Sequence, residues 1–252
     1  MTFVQRYARD TTRPTLRRAL GDLGRRTLAP AVALWAVVVG LGLLIRGPLN
    51  DLPAEDALNA GLAADRTPVM DQVTSVWSNI GATFFIISTC LLVIALVWWR
   101  TRQWWFAVIP GIAVSVQSAV FVTAAAVVGR ERPEVEKLDD SPPTSSFPSG
   151  HVGASTAFYL TLALLSRRIA NPALRAVATT VCLLVPALVA YARLYRGMHH
   201  LTDVVVGVVN GVACAYLAWR YLRRREPRAG RGTGRREPRA GRGRGRAALA
   251  SR

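Results

Sequence analysis

Of 252 residues, 51% are apolar, and yet the chain carries a formal net charge of +17. A soluble domain this basic has a more modest apolar fraction, so the two properties must be segregated along the chain. That excludes a pair of soluble domains and points to one membrane domain with a basic tail.

The first 28 residues form a basic arm (Arg6, Arg9, Arg13, Arg17, Arg18, Arg25, Arg26) that resembles no cleavable signal, because no small-residue cleavage site follows the first apolar run. That run is therefore expected to stay as an anchor. A bilayer core needs about 20 apolar residues per helix, since the backbone finds no water inside hydrocarbon. Six segments are predicted to satisfy this: Pro30 to Ile45, Ile80 to Trp99, Trp104 to Val128, His151 to Ser166, Ala173 to Ala192, and Leu201 to Tyr221. The fourth is the shortest and least hydrophobic. Cys90, Cys182 and Cys214 each sit inside an apolar run without Cys-x-x-Cys spacing or companion histidines, so neither a disulfide framework nor a zinc site is suggested.

Charge in the connections sets the expected orientation. The arm, the turn with Arg100 and Arg102, the turn with Arg167, Arg168 and Arg175, and the tail fall on one side, which the positive-inside rule makes cytoplasmic. The opposite connections hold Asp51, Glu55, Asp56, Asp65 and Asp71, then Glu134, Glu136, Asp139 and Asp140, then the Arg193 to Asp203 link. The expected architecture is thus all-α: a polytopic bundle of six transmembrane helices over residues 29–221, with both termini cytoplasmic. The tail, 222–252, repeats Arg-Arg-Glu-Pro-Arg-Ala-Gly-Arg-Gly from Arg224 and again from Arg235. It cannot bury a core and is expected to be disordered, with anionic lipid headgroups rather than nucleic acid as its partner.

All three histidines, His151, His199 and His200, fall on the outer side, together with Arg130, Arg132 and Arg193, against the trend for cations. Ser149-Gly150-His151 opens an apolar helix, so a hydroxyl and unhindered N–H groups stand at a helix N-terminus, where an anion is favoured; alone, the same residues are an ordinary cap. His199 and Asp203 are four apart at the mouth of the last helix, so the carboxylate can orient an imidazole. His200 is three from Asp203, and spacing does not choose between the two. In Gly129-Arg130-Glu131-Arg132-Pro133 two guanidiniums suited to bidentate phosphate binding appear together, or pair with Glu131 and Glu134 in a salt-bridged loop. Convergent at one membrane edge, these elements make a metal-free phosphoryl-transfer kit with no other cofactor.

Arg132-Pro133, then Pro148-Ser149-Gly150-His151, then Arg193 with His199 and Asp203, resemble the three-part signature of the type 2 phosphatidic acid phosphatase superfamily. The resemblance runs from the third predicted span to the sixth and is closer to the bacterial membrane members than to the soluble haloperoxidase relatives. It implies His199 as the nucleophile that becomes phosphorylated, Asp203 as its orienting partner and His151 as the acid for the leaving alkoxide. Arg132, Arg193, Ser149 and Gly150 would bind the phosphate of a membrane lipid. Two positions depart: Ala125 stands where the first motif has lysine, and Ala192 where the third has serine. Arg130 is a candidate substitute for the missing cation. A phosphotransferase using the same histidine and a non-catalytic lipid-phosphate binding or transport protein are the alternatives. Nothing in the sequence sets the oligomeric state.

Overall fold

The computed structural model describes residues 7, 10–49, 52–140 and 144–223, and every regular element among them is helical. The repeated tail from residue 224 onward lies outside the described residues. Eight helices order the chain: α1 Leu16–Arg46, α2 Pro53–Ala64, α3 Pro68–Ile80, α4 Thr83–Thr101, α5 Trp104–Val128, α6 Gly150–Leu165, α7 Pro172–Tyr195 and α8 Leu201–Trp219. α1 starts well inside the segment expected to be an arm. Thr15 caps it by accepting from the Arg18 N–H at 3.3 Å, and the arginines that follow are good helix formers, so the helix continues through a π-helical turn at Gly24–Leu28 into the apolar run.

Five helices, α1, α4, α5, α7 and α8, are long and apolar enough to cross a membrane. Phe84, Leu91, Leu92 and Leu96 on α4, and Val177, Leu183 and Leu184 on α7, stand exposed as a lipid-facing surface would require. α6 has only 16 residues, about 24 Å of helix, against a hydrocarbon core of roughly 30 Å. It is nonetheless the hub, packed against α4, α5, α7 and α8. Because protein rather than lipid surrounds it, it tolerates Ser155, Thr156 and Thr161 as buried residues.

Small residues let the hub close. A Cβ on Gly207 would lie 2.8 Å from the Ser149 carbonyl oxygen, and one on Gly211 would lie 2.6 Å from that of Gly153. Gly207 and Gly211 are four apart on α8, the spacing that allows two membrane helices to touch backbone to backbone. Gly211→Ala is therefore expected to cost about 1–3 kcal/mol, read as an earlier unfolding transition in detergent. Gly40→Ala, where nothing lies within 4 Å of the added carbon, is the control. Equal transitions for the two variants would show that the contact carries no weight.

The two ends of the bundle differ. At one, Arg26 Nε donates to the Arg220 carbonyl at 3.1 Å and Arg168 Nη1 to Gln103 Oε1 at 2.9 Å, so the arginine-rich turns meet. At the other end α5 and α7 finish, α6 and α8 begin, and α2 and α3 pack against α7. All three histidines are there.

Candidate active site

α5 closes on Gly129 in the left-handed conformation, φ 63°, which ends the helix and swings Arg130 across the bundle. The loop that follows is pinched at its neck, the Ser146 N–H donating to the Arg130 carbonyl at 2.8 Å and the Arg130 N–H to Ser145 Oγ at 2.9 Å. Its return brings Ser149 to the start of α6, where the Ser149 N–H donates to the Asp203 carbonyl at 3.0 Å and so ties α6 to α8. After α7, Gly197 turns the chain at φ 69°, and His200 N-caps α8.

His199 is 3% exposed, and its Nδ1 lies 2.8 Å from the Ser146 carbonyl oxygen. A carbonyl can only accept, so Nδ1 carries the proton and the lone pair sits on Nε2. Asp203 Oδ2 is 3.8 Å from the same Nδ1, near enough to stabilise a positive ring but beyond a hydrogen bond. The carboxylate's direct partners are others: Ser146 Oγ at 2.5 Å, the His200 N–H at 2.9 Å and Arg130 Nη1 at 2.6 Å. His200 Nδ1 is 3.4 Å away. Asp203 is thus nearer His200 than His199, and the two histidines part by cavity: His199 and His151 line one together, whereas His200 lines another.

The first cavity holds about 350 Å³. Arg132, Arg193, Gly150, His151 and His199 line its polar end. Ile86, Ile87, Val114, Phe121 and Val122, from α4 and α5, make its apolar walls, and Ile87 and Val122 are also exposed on the outside of the bundle. Arg193 Nη1 is held by Ser78 Oγ and Asp139 Oδ2, both at 2.7 Å, which leaves its buried Nε without a partner among the described residues. Arg132 Nη1 donates to the Met198 carbonyl at 2.6 Å. Ser149 Oγ is likewise buried and unpartnered, but Ser149 does not line this cavity and packs towards Gly207 of α8. An orphaned guanidinium donor beside a helix N-terminus suits an anion.

Arg130 is placed differently. Its guanidinium is spent on Glu55 Oε2 at 2.8 Å, Thr202 Oγ1 at 2.7 Å and Asp203, and it lines the second cavity, about 460 Å³, rather than the first. It is thus not a replacement for the lysine that Ala125 displaces. Ala125 itself is buried in α5, and the cations lining the histidine cavity are Arg132 and Arg193. Among the described residues, no group of three or more His, Cys, Asp or Glu could hold a metal ion.

Sequence reasoning left Ser78 and Ser146 unassigned, and Glu55 and Asp139 only as outer acids. Asp139 binds both Arg193 and Arg196, the latter through Nε at 2.8 Å. These two guanidiniums keep its carboxyl below the usual range despite its burial. Burial does the opposite to the His199 ring: with Arg193 nearby and Asp203 opposing only in part, its pKa falls from 6.5 to about 4. Nε2 is therefore unprotonated at neutral pH. The unfolded ring takes its proton at the higher value, so this site loses stability as pH falls from 6.5 towards 4. Ring ¹⁵N titration in detergent should place the His199 midpoint near 4, assigned by its disappearance in His199→Gln; a midpoint at the ordinary imidazole value would contradict the burial.

Residues 106–227 match the sequence profile of the PAP2 superfamily. The decaprenylphosphoryl-5-phosphoribose phosphatases of two Mycobacterium tuberculosis strains are 34% identical over 115 residues, covering 44% of this chain and 57% of theirs. The chain thus spans little more than half the length of the curated relatives it matches. Among solved structures, a transmembrane PAP2 type phosphatidylglycerolphosphate phosphatase from Bacillus subtilis superposes with a TM-score of 0.65 at 21% identity, over 75% of this chain and 93% of that one. LpxE from Aquifex aeolicus superposes at 0.53 with 19% identity, over 67% and 96% respectively. The helices that place His151, His199, Arg132 and Arg193 around one cavity fall within or beside the stretch that matches the PAP2 superfamily.

Proposed function

We propose that the chain is a metal-independent lipid phosphatase, hydrolysing a phosphomonoester or diphosphate of a membrane lipid through a phosphohistidine on His199. The observation that carries this is one cavity in which an unprotonated imidazole nitrogen, two guanidiniums and a second histidine share the space with apolar walls that reach the lipid-facing surface. Arg132 and Arg193 hold the phosphate oxygens, helped by the N–H groups at Gly150. The His199 Nε2 lone pair attacks phosphorus, the bond from phosphorus to the lipid oxygen breaks, and His151 gives that oxygen its proton. Water then attacks phosphohistidine, losing a proton to His151, and inorganic phosphate leaves. The relatives' names, a decaprenylphosphoryl-phosphoribose phosphatase and a phosphatidylglycerolphosphate phosphatase, support a lipid phosphate as the substrate class. A polyprenyl diphosphate and a glycerolipid phosphate such as phosphatidic acid both fit. The direct test is release of inorganic phosphate from liposomes by purified protein; equal release by His199→Ala would overturn the reading.

The site faces outward from the plasma membrane in this reading. Six spans, counting the short α6, put both termini inside, and the arginine-rich end of the bundle meets the cytoplasmic leaflet. Leu222 is buried in the helix core and the Arg223 N–H donates to Asp22, so the segment expected to lie free from 222 is packed as far as Arg223, and only the arginines beyond it are proposed to meet anionic headgroups. The three native cysteines are buried, so introduced ones report cleanly. Lys137→Cys is expected to react with a membrane-impermeant maleimide in intact cells, and Arg102→Cys only after permeabilisation. The reverse pattern would place the site inside.

A further inference from the structure

One polar side chain in the histidine cavity has no part in the chemistry above. Gln117 lies in the middle of α5, 1% exposed, with Oε1 and Nε2 both buried and unpartnered, and it lines the cavity. An amide left unbonded in an apolar setting costs on the order of several kcal/mol, so it is there for a partner. α6 keeps room for it: a Cβ on Gly153 would come within 2.2 Å of Nε2.

Its depth is fixed by packing. A Cβ on Gly150 would meet the Phe121 ring, whereas one on Gly153 meets Gln117, so stepping three residues into α6 steps four residues back along α5. Gln117 is therefore one helical turn, about 5.4 Å, deeper than the layer of Gly150 and His151. A phosphate against Arg132, Arg193 and His199 presents its leaving oxygen at His151, and the amide meets the leaving group about four bonds further on. In a glycerolipid phosphate that place holds an ester carbonyl or hydroxyl, and in a sugar-linked phosphate a ring hydroxyl. In a bare polyprenyl phosphate it holds only carbon.

We propose that Gln117 is a specificity-determining residue that hydrogen-bonds an oxygen function of the leaving group next to the scissile phosphate. The preferred substrates are then oxygen-bearing lipid phosphates rather than simple polyprenyl monophosphates. This rests on the phosphatase reading and narrows it.

The test compares kcat/KM of detergent-solubilised full-length protein on phosphatidic acid, a phosphorylated sugar lipid and a polyprenyl monophosphate. Wild type should prefer one or both oxygen-bearing lipids, the better of the two telling carbonyl from hydroxyl. Gln117→Leu should lower their kcat/KM by about ten- to a hundredfold and leave the polyprenyl monophosphate unchanged or faster. Gly153→Ala, which pushes the amide aside, should show the same selectivity in weaker form. An equal drop on all three, or a wild-type preference for the polyprenyl chain, overturns the proposal while the phosphatase reading stands. If wild type turns over none of them, that reading falls, and binding of the matching phosphonates to wild type and Gln117→Leu still decides the subsite: equal affinities overturn it, a selective loss supports it.

Discussion

Replacing His151 with glutamine is expected to slow hydrolysis of a lipid phosphate by about 10²- to 10⁴-fold, and to slow release of nitrophenol from an aryl phosphate far less in the first turnover. In the proposed mechanism the lipid leaves as an alkoxide, which needs a proton as the bond to phosphorus breaks, and His151 is the histidine that shares the cavity with His199. A nitrophenolate leaves without that help. The second half of the proposed reaction, in which water would lose a proton to His151, is expected to slow for both substrates. With the aryl substrate the variant should therefore accumulate a phosphoenzyme, acid-labile and released by hydroxylamine, that wild type turns over too fast to retain. His199→Gln should show no label with either substrate. Equal slowing of the first turnover on both substrates would remove His151 as the acid. Label persisting in His199→Gln would remove His199 as the nucleophile.

The long spans were legible because hydropathy alone makes them: α4, α5, α7 and α8 lie within a few residues of their expected bounds. α6 was legible as the shortest and least hydrophobic of the six segments, and it falls short of the five that are long and apolar enough to cross. Its Ser155, Thr156 and Thr161 lower its hydropathy because it is surrounded by protein, a condition no local sequence window contains. α2 and α3 were passed over as loop, although their start signals are present: Pro53 with Glu55 and Asp56 in the first turn, and Thr67 capping ahead of Pro68. Neither is apolar enough to stand out, and their contribution, Glu55 and Ser78, is tertiary. The convergence of His151, His199, Arg132 and Arg193 followed from motifs at one membrane edge. The division of labour did not. Arg130 and Arg132 follow the same left-handed glycine, and what separates them is Glu55, 75 residues earlier in the chain. Likewise spacing to Asp203 does not separate His199 from His200, and what differs between them is tertiary: the Ser146 carbonyl, from another loop, orients His199.

That buried network carries the second large effect. Asp203 is fully buried and joins Arg130, Ser146 and the His200 N–H, while Arg130 joins Glu55, which in turn accepts from the Thr202 N–H at 2.5 Å. Two carboxylates and one guanidinium therefore clamp the first turn of α8 to α2 and to the loop that orients His199. Asp203→Ala strands most of that charge and is expected to destabilise the protein by about 3–5 kcal/mol. Turnover falls with it, because the His199 ring loses both its nearby negative charge and the Ser146 anchor that positions its carbonyl partner. Glu55→Gln keeps the shape and one acceptor for Arg130, so its cost should be nearer 1–3 kcal/mol. If the three residues act as one device, the Glu55→Gln and Asp203→Ala losses will not add, and a double-mutant cycle on unfolding in detergent will show a coupling of about 0.5–3 kcal/mol. Simple additivity would mean that Glu55 merely fastens an outer helix, and that the catalytic loop holds its geometry without it.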